Sequence, residues 1–260
     1  MSIEEAIDLA YSEQGSGPAL VLLHGLGLDH TIWMSIARNC SSYAKVIMPD
    51  LRGHGLSGAP EGIYTMDMMA ADIKRLMDRI RIEKIVLAGH SMGGYVALAF
   101  AQEYPDLLNG LILVTTNADE DPPDKRQARI LLATEIEKQG SGVMADSLAN
   151  RLTDDPILIS KMHFLINRTT PKGLIGASLG MAERKDMHEV LRSLTCPSLI
   201  IAGENDRITS LSTAEKLVET CQKGKLVIMP NAGHLPMMEE PEVMTIAILG
   251  FMRVNSLLDT

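Results

Sequence analysis

The sequence predicts an α/β protein: a mainly parallel sheet covered by helices on both faces, with a helical insert. Three observations predict it. Six short apolar runs recur along the chain, at 18–25, 44–50, 83–89, 109–115, 196–203 and 224–230, and each ends in turn residues. Continuous apolar runs of this length suit strands buried on both faces, the mark of parallel sheets. Amphipathic stretches lie between most of them, but from 117 to 194 no strand-like run occurs.

Taken in order, the first strand pair falls near 7–13 and 19–23, joined by "QGSGP", and reads as an antiparallel hairpin at the sheet edge. After "AKVIMPD", residues 66–80 carry Met69, Ile73, Met77 and Ile80 at helical spacing. "EKIVLAG" and "NGLILVT" continue the sheet. "NADEDPPDKRQ" then opens the insert, with helical stretches at 124–139, 143–151, 157–167 and 172–183. A crossover between parallel strands needs only about a dozen residues. The excess marks a helical cap over 117–194, set into a core made of 1–116 and 195–260. "CPSLIIAG" and "GKLVIMP" complete the sheet, each followed by a helical stretch, at 213–220 and 242–252.

Composition narrows the function. The 260 residues are 46% hydrophobic, enough for a sizeable core. A net charge of −9 argues against a nucleic-acid groove and against an anionic membrane surface. Cys40, Cys196 and Cys221 show neither metal-ligand spacing nor a disulfide framework, which points to a reducing, cytoplasmic setting. The opening "MSIEEAIDLA" is acidic, unlike a signal peptide, and no apolar run approaches the ~18 residues of a membrane span. With 17 methionines and 3% aromatics, an apolar pocket here would be lined by flexible aliphatic side chains.

The chemistry concentrates at "VLAGHSMGGYVALAFA", residues 86–101. Gly89-His90-Ser91-Met92-Gly93 is G-x-S-x-G between a strand and a helix. A sharp strand-to-helix turn there strains the central residue and exposes its hydroxyl. The helix beginning at Met92 aims its N–H groups and positive dipole end at the same spot. A serine nucleophile needs a base, and the base an orienting carboxylate. Sites in open α/β sheets form at the C-terminal ends of strands. After "PSLIIAG" come Glu204 and Asp206; after "KLVIMP" comes His234. Of the histidines, His234 follows the last strand, giving the order serine, acid, histidine. Asp206 is the favoured acid and Glu204 the fallback. "LLHGLG" offers an oxyanion hole from the N–H groups of Leu26 and Met92, with Gly25 and Gly27 permitting the backbone path.

These residues together resemble the α/β-hydrolase fold superfamily. "HGLG", "PDLRGHGLS", "GHSMGG", "GENDRIT" and "NAGHLPMMEEP" carry the likeness. It looks closest to the branch of small bacterial carboxylesterases and 3-oxoadipate enol-lactonases. The resemblance implies Ser91 as nucleophile with Asp206 and His234, an eight-stranded sheet whose second strand is antiparallel, and a helical cap over the site. Leu235 stands where carbon–carbon bond hydrolases of the fold commonly have tryptophan, which lowers that option.

The expected protein is therefore a serine esterase for small to medium carboxylic esters, a monomer or homodimer, needing no metal or organic cofactor. Gly25, Met144, Leu148 and Met181 are expected to bind substrate. The rivals are an enol-lactonase, for which Arg168 and Arg184 could hold the substrate carboxylate, and a ligand-binding sensor on the same fold.

Overall fold

The computed structural model describes residues 6–258; the first half of the acidic opening "MSIEEAIDLA", read as unlike a signal peptide, lies outside them. The described strands are β1 (Tyr11–Gln14), β2 (Ala19–Leu23), β3 (Lys45–Pro49), β4 (Ile85–His90), β5 (Leu108–Val114), β6 (Ser198–Gly203) and β7 (Gly224–Met229). They form one sheet in the order β1-β3-β2-β4-β5-β6-β7. The six apolar runs are β2 to β7, all paired in parallel. β1 alone among them is antiparallel.

Two expectations are corrected. β1 pairs with β3, not with β2, so "QGSGP" is not a hairpin turn. β2 is buried along its whole length and holds β3 on one side and β4 on the other, which leaves it no free edge. The described strands number seven, not eight, and the antiparallel one comes first. Ahead of β1, the Ile7 N–H goes to Asp72 Oδ1 and the Ala10 N–H to Ser57 Oγ, so this segment adds no ladder.

Helices α1 (Met34–Cys40), α2 (Met66–Arg79) and α3 (Met92–Glu103) fall within the first half of the sheet. Alternate strand residues feed two apolar layers. Val21, Leu87, Leu111 and Ile200 join α2 and α3 on one face. Leu20, Ala88, Ile112 and Leu199 join α1 on the other. Between β5 and β6 come α4 (Pro123–Gln139), α5 (Gly142–Leu152), α6 (Pro156–Arg168), α7 (Pro171–Ala182) and α8 (His188–Ser193). Proline opens α4, α6 and α7, where its missing N–H costs nothing. Asp155 caps α6 and Thr170 caps α7 through their side-chain oxygens. Backbone and hydroxyl bonds fasten these helices to the sheet domain, Tyr64 N–H to Gly176 O at 2.9 Å and Thr169 Oγ1 to Gly27 O at 3.2 Å. The chain ends with α9 (Leu211–Thr220), α10 (Pro236–Glu239) and α11 (Pro241–Val254).

Two histidines are structural. His24 Nδ1 donates to Gly25 O and its Nε2 accepts the Leu51 N–H, both inside the protein. His54 packs 5.2 Å from it and donates to Arg52 O. Burial pushes both rings below the ordinary histidine value, His54 to about 3 with help from its neighbour. Because the folded values lie below the unfolded value of 6.5, this stability is full above pH 6.5 and is lost as pH falls toward about 3. The His54 ring should add a slope of up to about 1.4 kcal/mol per pH unit inside that window. Urea unfolding from about pH 7 to about pH 5 should show stability falling, and His54→Asn should flatten the slope by about one proton. An unchanged slope in that variant would refute the assignment.

Candidate active site

Ser91 lies between the end of β4 and the start of α3 with φ 51° and ψ −114°, a left-handed backbone unusual for a residue with a Cβ. Such a conformation costs about 1–3 kcal/mol and persists only where its surroundings enforce it. Here the Ser91 N–H donates to Val114 O at 3.0 Å, and Ser91 O accepts from Gly94 N–H and from Thr116 Oγ1. The turn is so tight that a Cβ on Gly89 would lie 2.2 Å from Gly93 O.

The loop after β2 presses against this elbow. A Cβ on Gly25 would lie 3.3 Å from Ser91 Cβ and 2.9 Å from His90 Nδ1. Among the described residues the Leu26 N–H has no hydrogen-bond partner. Met92 contributes the first N–H of α3. Leu26 lines the same cavity as Ser91, and Met92 follows the serine directly in the chain.

Asp206 and His234 come from the loops after β6 and β7. His234 Nδ1 donates to Asp206 Oδ2 at 2.8 Å, with both side chains 1% exposed. Asp206 Oδ1 accepts the N–H groups of Ile208 at 2.7 Å and Thr209 at 3.0 Å, so the carboxylate is held from both ends. Glu204 is exposed, and the carboxylate bonded to His234 is that of Asp206. His90, beside the serine, is turned away: its Nε2 donates to His234 O, and its ring edge meets the His234 ring at 5.0 Å. Burial and the nearby His234 hold its pKa well below the ordinary range, so it stays neutral.

Ser91 and His234 open into one cavity of about 530 Å³, lined also by Gly25, Leu26, Leu148 and Met181. Met144 does not line it. That side chain is 1% exposed in the apolar layer with Ile136, Met162 and Ile166, near the start of α5; Leu148, one turn later, reaches the cavity. Neither Arg168 nor Arg184 lines it. Arg168 stacks on the exposed Phe164, while Arg184 lies over the Tyr95 ring at 4.2 Å and pairs with buried Asp121 at 2.6 Å. Asp121 also pairs with Arg129 of α4, so one carboxylate ties the entry of the helical stretch to its exit. Burial raises the pKa of Asp121, but Arg129 and Arg184 outweigh it and the net shift is downward.

The cations that do line the cavity are Lys125, Arg129 and Arg151. Leu132 and Leu152 line it too. The signal that could have found them is helical spacing: 125, 129 and 132 share one face of α4, and 148 and 152 share one of α5. A possible metal cluster among the described residues is Asp119, Asp186 and His188, within 4.8 Å of one another; none lines the cavity, and Lys216 Nζ already lies on Asp119 Oδ1.

A parallel sheet with a strained serine at its C-terminal edge, beside a buried aspartate–histidine pair, defines a hydrolase of α/β fold. The chain belongs to the alpha/beta hydrolase fold family, whose pattern matches residues 18–169. A second family, described as serine hydrolase, matches residues 139–244. The chain is similar to an esterase from Thermogutta terrifontis solved with malate bound, at 39% identity over 95% of this chain and 93% of that one, with a TM-score of 0.92. It is 28% identical to 3-oxoadipate enol-lactonase 2 of Acinetobacter baylyi, over 95% of this chain and 93% of that one. An enol-lactonase from Burkholderia xenovorans shares the fold, at 24% identity and a TM-score of 0.87, covering 94% of this chain and 96% of that one.

The elbow geometry carries its own test. Gly89→Ala forces a methyl into Gly93 O and should cost about 3 kcal/mol, lowering Tm by at least about 6 °C. Gly250→Ala in α11, where a Cβ meets nothing within 4 Å, should leave Tm unchanged or slightly raised. Equal melting of the two variants would contradict the turn as described.

Proposed function

We propose that the protein is a serine esterase for small carboxylic esters. Ser91 attacks the carbonyl and His234 takes its proton at Nε2, since Nδ1 is committed to Asp206. Asp206 fixes the ring tautomer and stabilises the imidazolium. The N–H groups of Leu26 and Met92 hold the oxyanion. The alcohol leaves with a proton from His234, and water hydrolyses the acyl-enzyme with His234 again as base. The helical stretch 117–194 acts as the cap, with Leu148 and Met181 in the acyl wall and Gly25 giving the acyl carbon room beside Ser91. The observation that carries this reading is the 2.8 Å bond between His234 and Asp206 in the cavity wall that also presents Ser91. The free thiols of Cys40, Cys196 and Cys221 suit a reducing, cytoplasmic setting.

The test is substitution with active-site labelling. Ser91→Ala should lose about 10⁵-fold or more in kcat on a chromogenic ester and no longer take up a serine-directed phosphonate. Asp206→Asn, which lets the ring adopt the wrong tautomer, should lose about 10⁴-fold, the scale of the equivalent change in a serine-protease triad, while Glu204→Gln stays within about twofold. Activity surviving in Ser91→Ala would reject the nucleophile; ester binding with less than one turnover by the native chain would make it a binding protein.

A second reading, hydrolysis of an enol-lactone carrying a carboxylate, draws on Arg151. It lines the cavity and has no ion-pair partner among the described residues, while Lys125 and Arg129 share Asp121. If an anionic substrate binds there, Arg151→Gln should lower kcat/KM about tenfold for a monoester of a dicarboxylic acid. A neutral ester of equal length should change by less than about twofold. Equal effects on both would remove this reading and leave the esterase.

A further inference from the structure

The peptide of His234 is held more tightly than its catalytic ring requires. α10, opened by Pro236, curls the chain back so that Glu239, its last residue, reaches over the histidine loop. Glu239 Oε2 accepts the N–H of Gly233 at 2.7 Å and of Leu235 at 3.2 Å, the amides on either side of His234. The N–H of His234 itself goes to Leu152 O at 3.2 Å. Glu239 Oε1 accepts the Thr153 hydroxyl at 2.6 Å. From below, His234 O accepts from His90 Nε2 at 2.9 Å and Thr115 Oγ1 at 3.1 Å.

Two of these tethers end on consecutive residues, Leu152 and Thr153, where α5 stops. The same stretch supplies Leu148, Arg151 and Leu152 to the cavity wall. We propose that Glu239 is a positioning residue for His234, coupling the alignment of the imidazole to the seating of α5. The proposal rests on the reading of His234 as the base. Three donors converge on two oxygens, and an ionised carboxylate accepts all of them without offering a proton of its own. Charge-assisted bonds of this kind are about twice as strong as neutral ones. A base displaced by about 1 Å can lose about 10²-fold in rate, so the clamp acts on kcat and not on binding.

The experiment measures kcat, KM and the phosphonate labelling rate, each per titrated active site, for Glu239→Ala, Glu239→Gln and Thr153→Val. Glu239→Ala should lower kcat and the labelling rate together by about 100-fold with KM within about threefold. Glu239→Gln, which keeps the shape and one acceptor, should recover part of that loss. Thr153→Val should lower kcat about threefold with Tm within about 4 °C of the native chain, and it carries the test if the alanine variant does not fold. Thr153→Val and Glu239→Gln combined should lose less than the product of their separate losses. Native rates per titrated site in Glu239→Ala, or in Thr153→Val where the alanine variant does not fold, overturn the positioning role, and a multiplicative double variant overturns the coupling to α5. A native chain that takes no label at Ser91 would instead reject the esterase reading.

Discussion

The site depends on one backbone conformation, the left-handed turn at Ser91. A residue with a Cβ does not hold φ 51° by preference; three neighbours hold it there. β5 accepts the Ser91 N–H, Thr116 donates to its carbonyl, and the absence of side chains at Gly89 and Gly93 lets strand and helix close on each other. Each contact comes from the C-terminal edge of the sheet, so the turn requires β2, β4 and β5 in register. The same register brings Gly25 against the serine and leaves the loops after β6 and β7 to deliver Asp206 and His234. Fold and site are thus one packing problem: strain at a single residue is affordable because a buried parallel sheet surrounds it.

That dependence explains what was legible in the sequence. The elbow is encoded within five residues, by glycines whose absent side chains the turn demands. The acid and histidine were legible because strand ends are visible as apolar runs breaking into polar turns. The choice between Glu204 and Asp206 needed three-dimensional information, since both follow β6 within three residues; only the shorter chain, braced by the Ile208 and Thr209 amides, points inward. The first strand was placed in the wrong partnership because pairing near the edge is decided by the order of the whole sheet. β2, apolar throughout, is claimed on both sides by parallel neighbours.

The helical stretch was legible as helices but not as a surface. Met144 and Leu148 lie one turn apart, and composition treats them alike. One closes the apolar layer and the other meets the cavity. The arginines show the same limit. Arg184 looked free for a substrate anion, yet its charge is spent on Asp121 and its plane on Tyr95. Arg151 gave no signal, being one cation near the end of a helix; its place in the cavity wall, with no ion pair among the described residues, follows from how the helices pack. Side chains on helices are assigned by the tilt of each helix against its neighbours, which no local pattern specifies.

Asp121 has a consequence for the stiffness of the frame around the cavity. Its buried carboxylate buckles Arg129 to Arg184, closing the two ends of the insert into a ring. All three residues lie within 117–194, so the ring stiffens the insert itself, while the bonds from Thr169 to Gly27 and from Tyr64 to Gly176 hold the insert to the sheet. The wall that faces the cavity carries unbranched and γ-branched side chains, Met181, Leu132 and Leu148, of the kind that exchange rotamers within nanoseconds where they are exposed. The cavity thus has a soft wall on a stiff frame, and its shape can follow methionine and leucine torsions while the ring around it stays fixed.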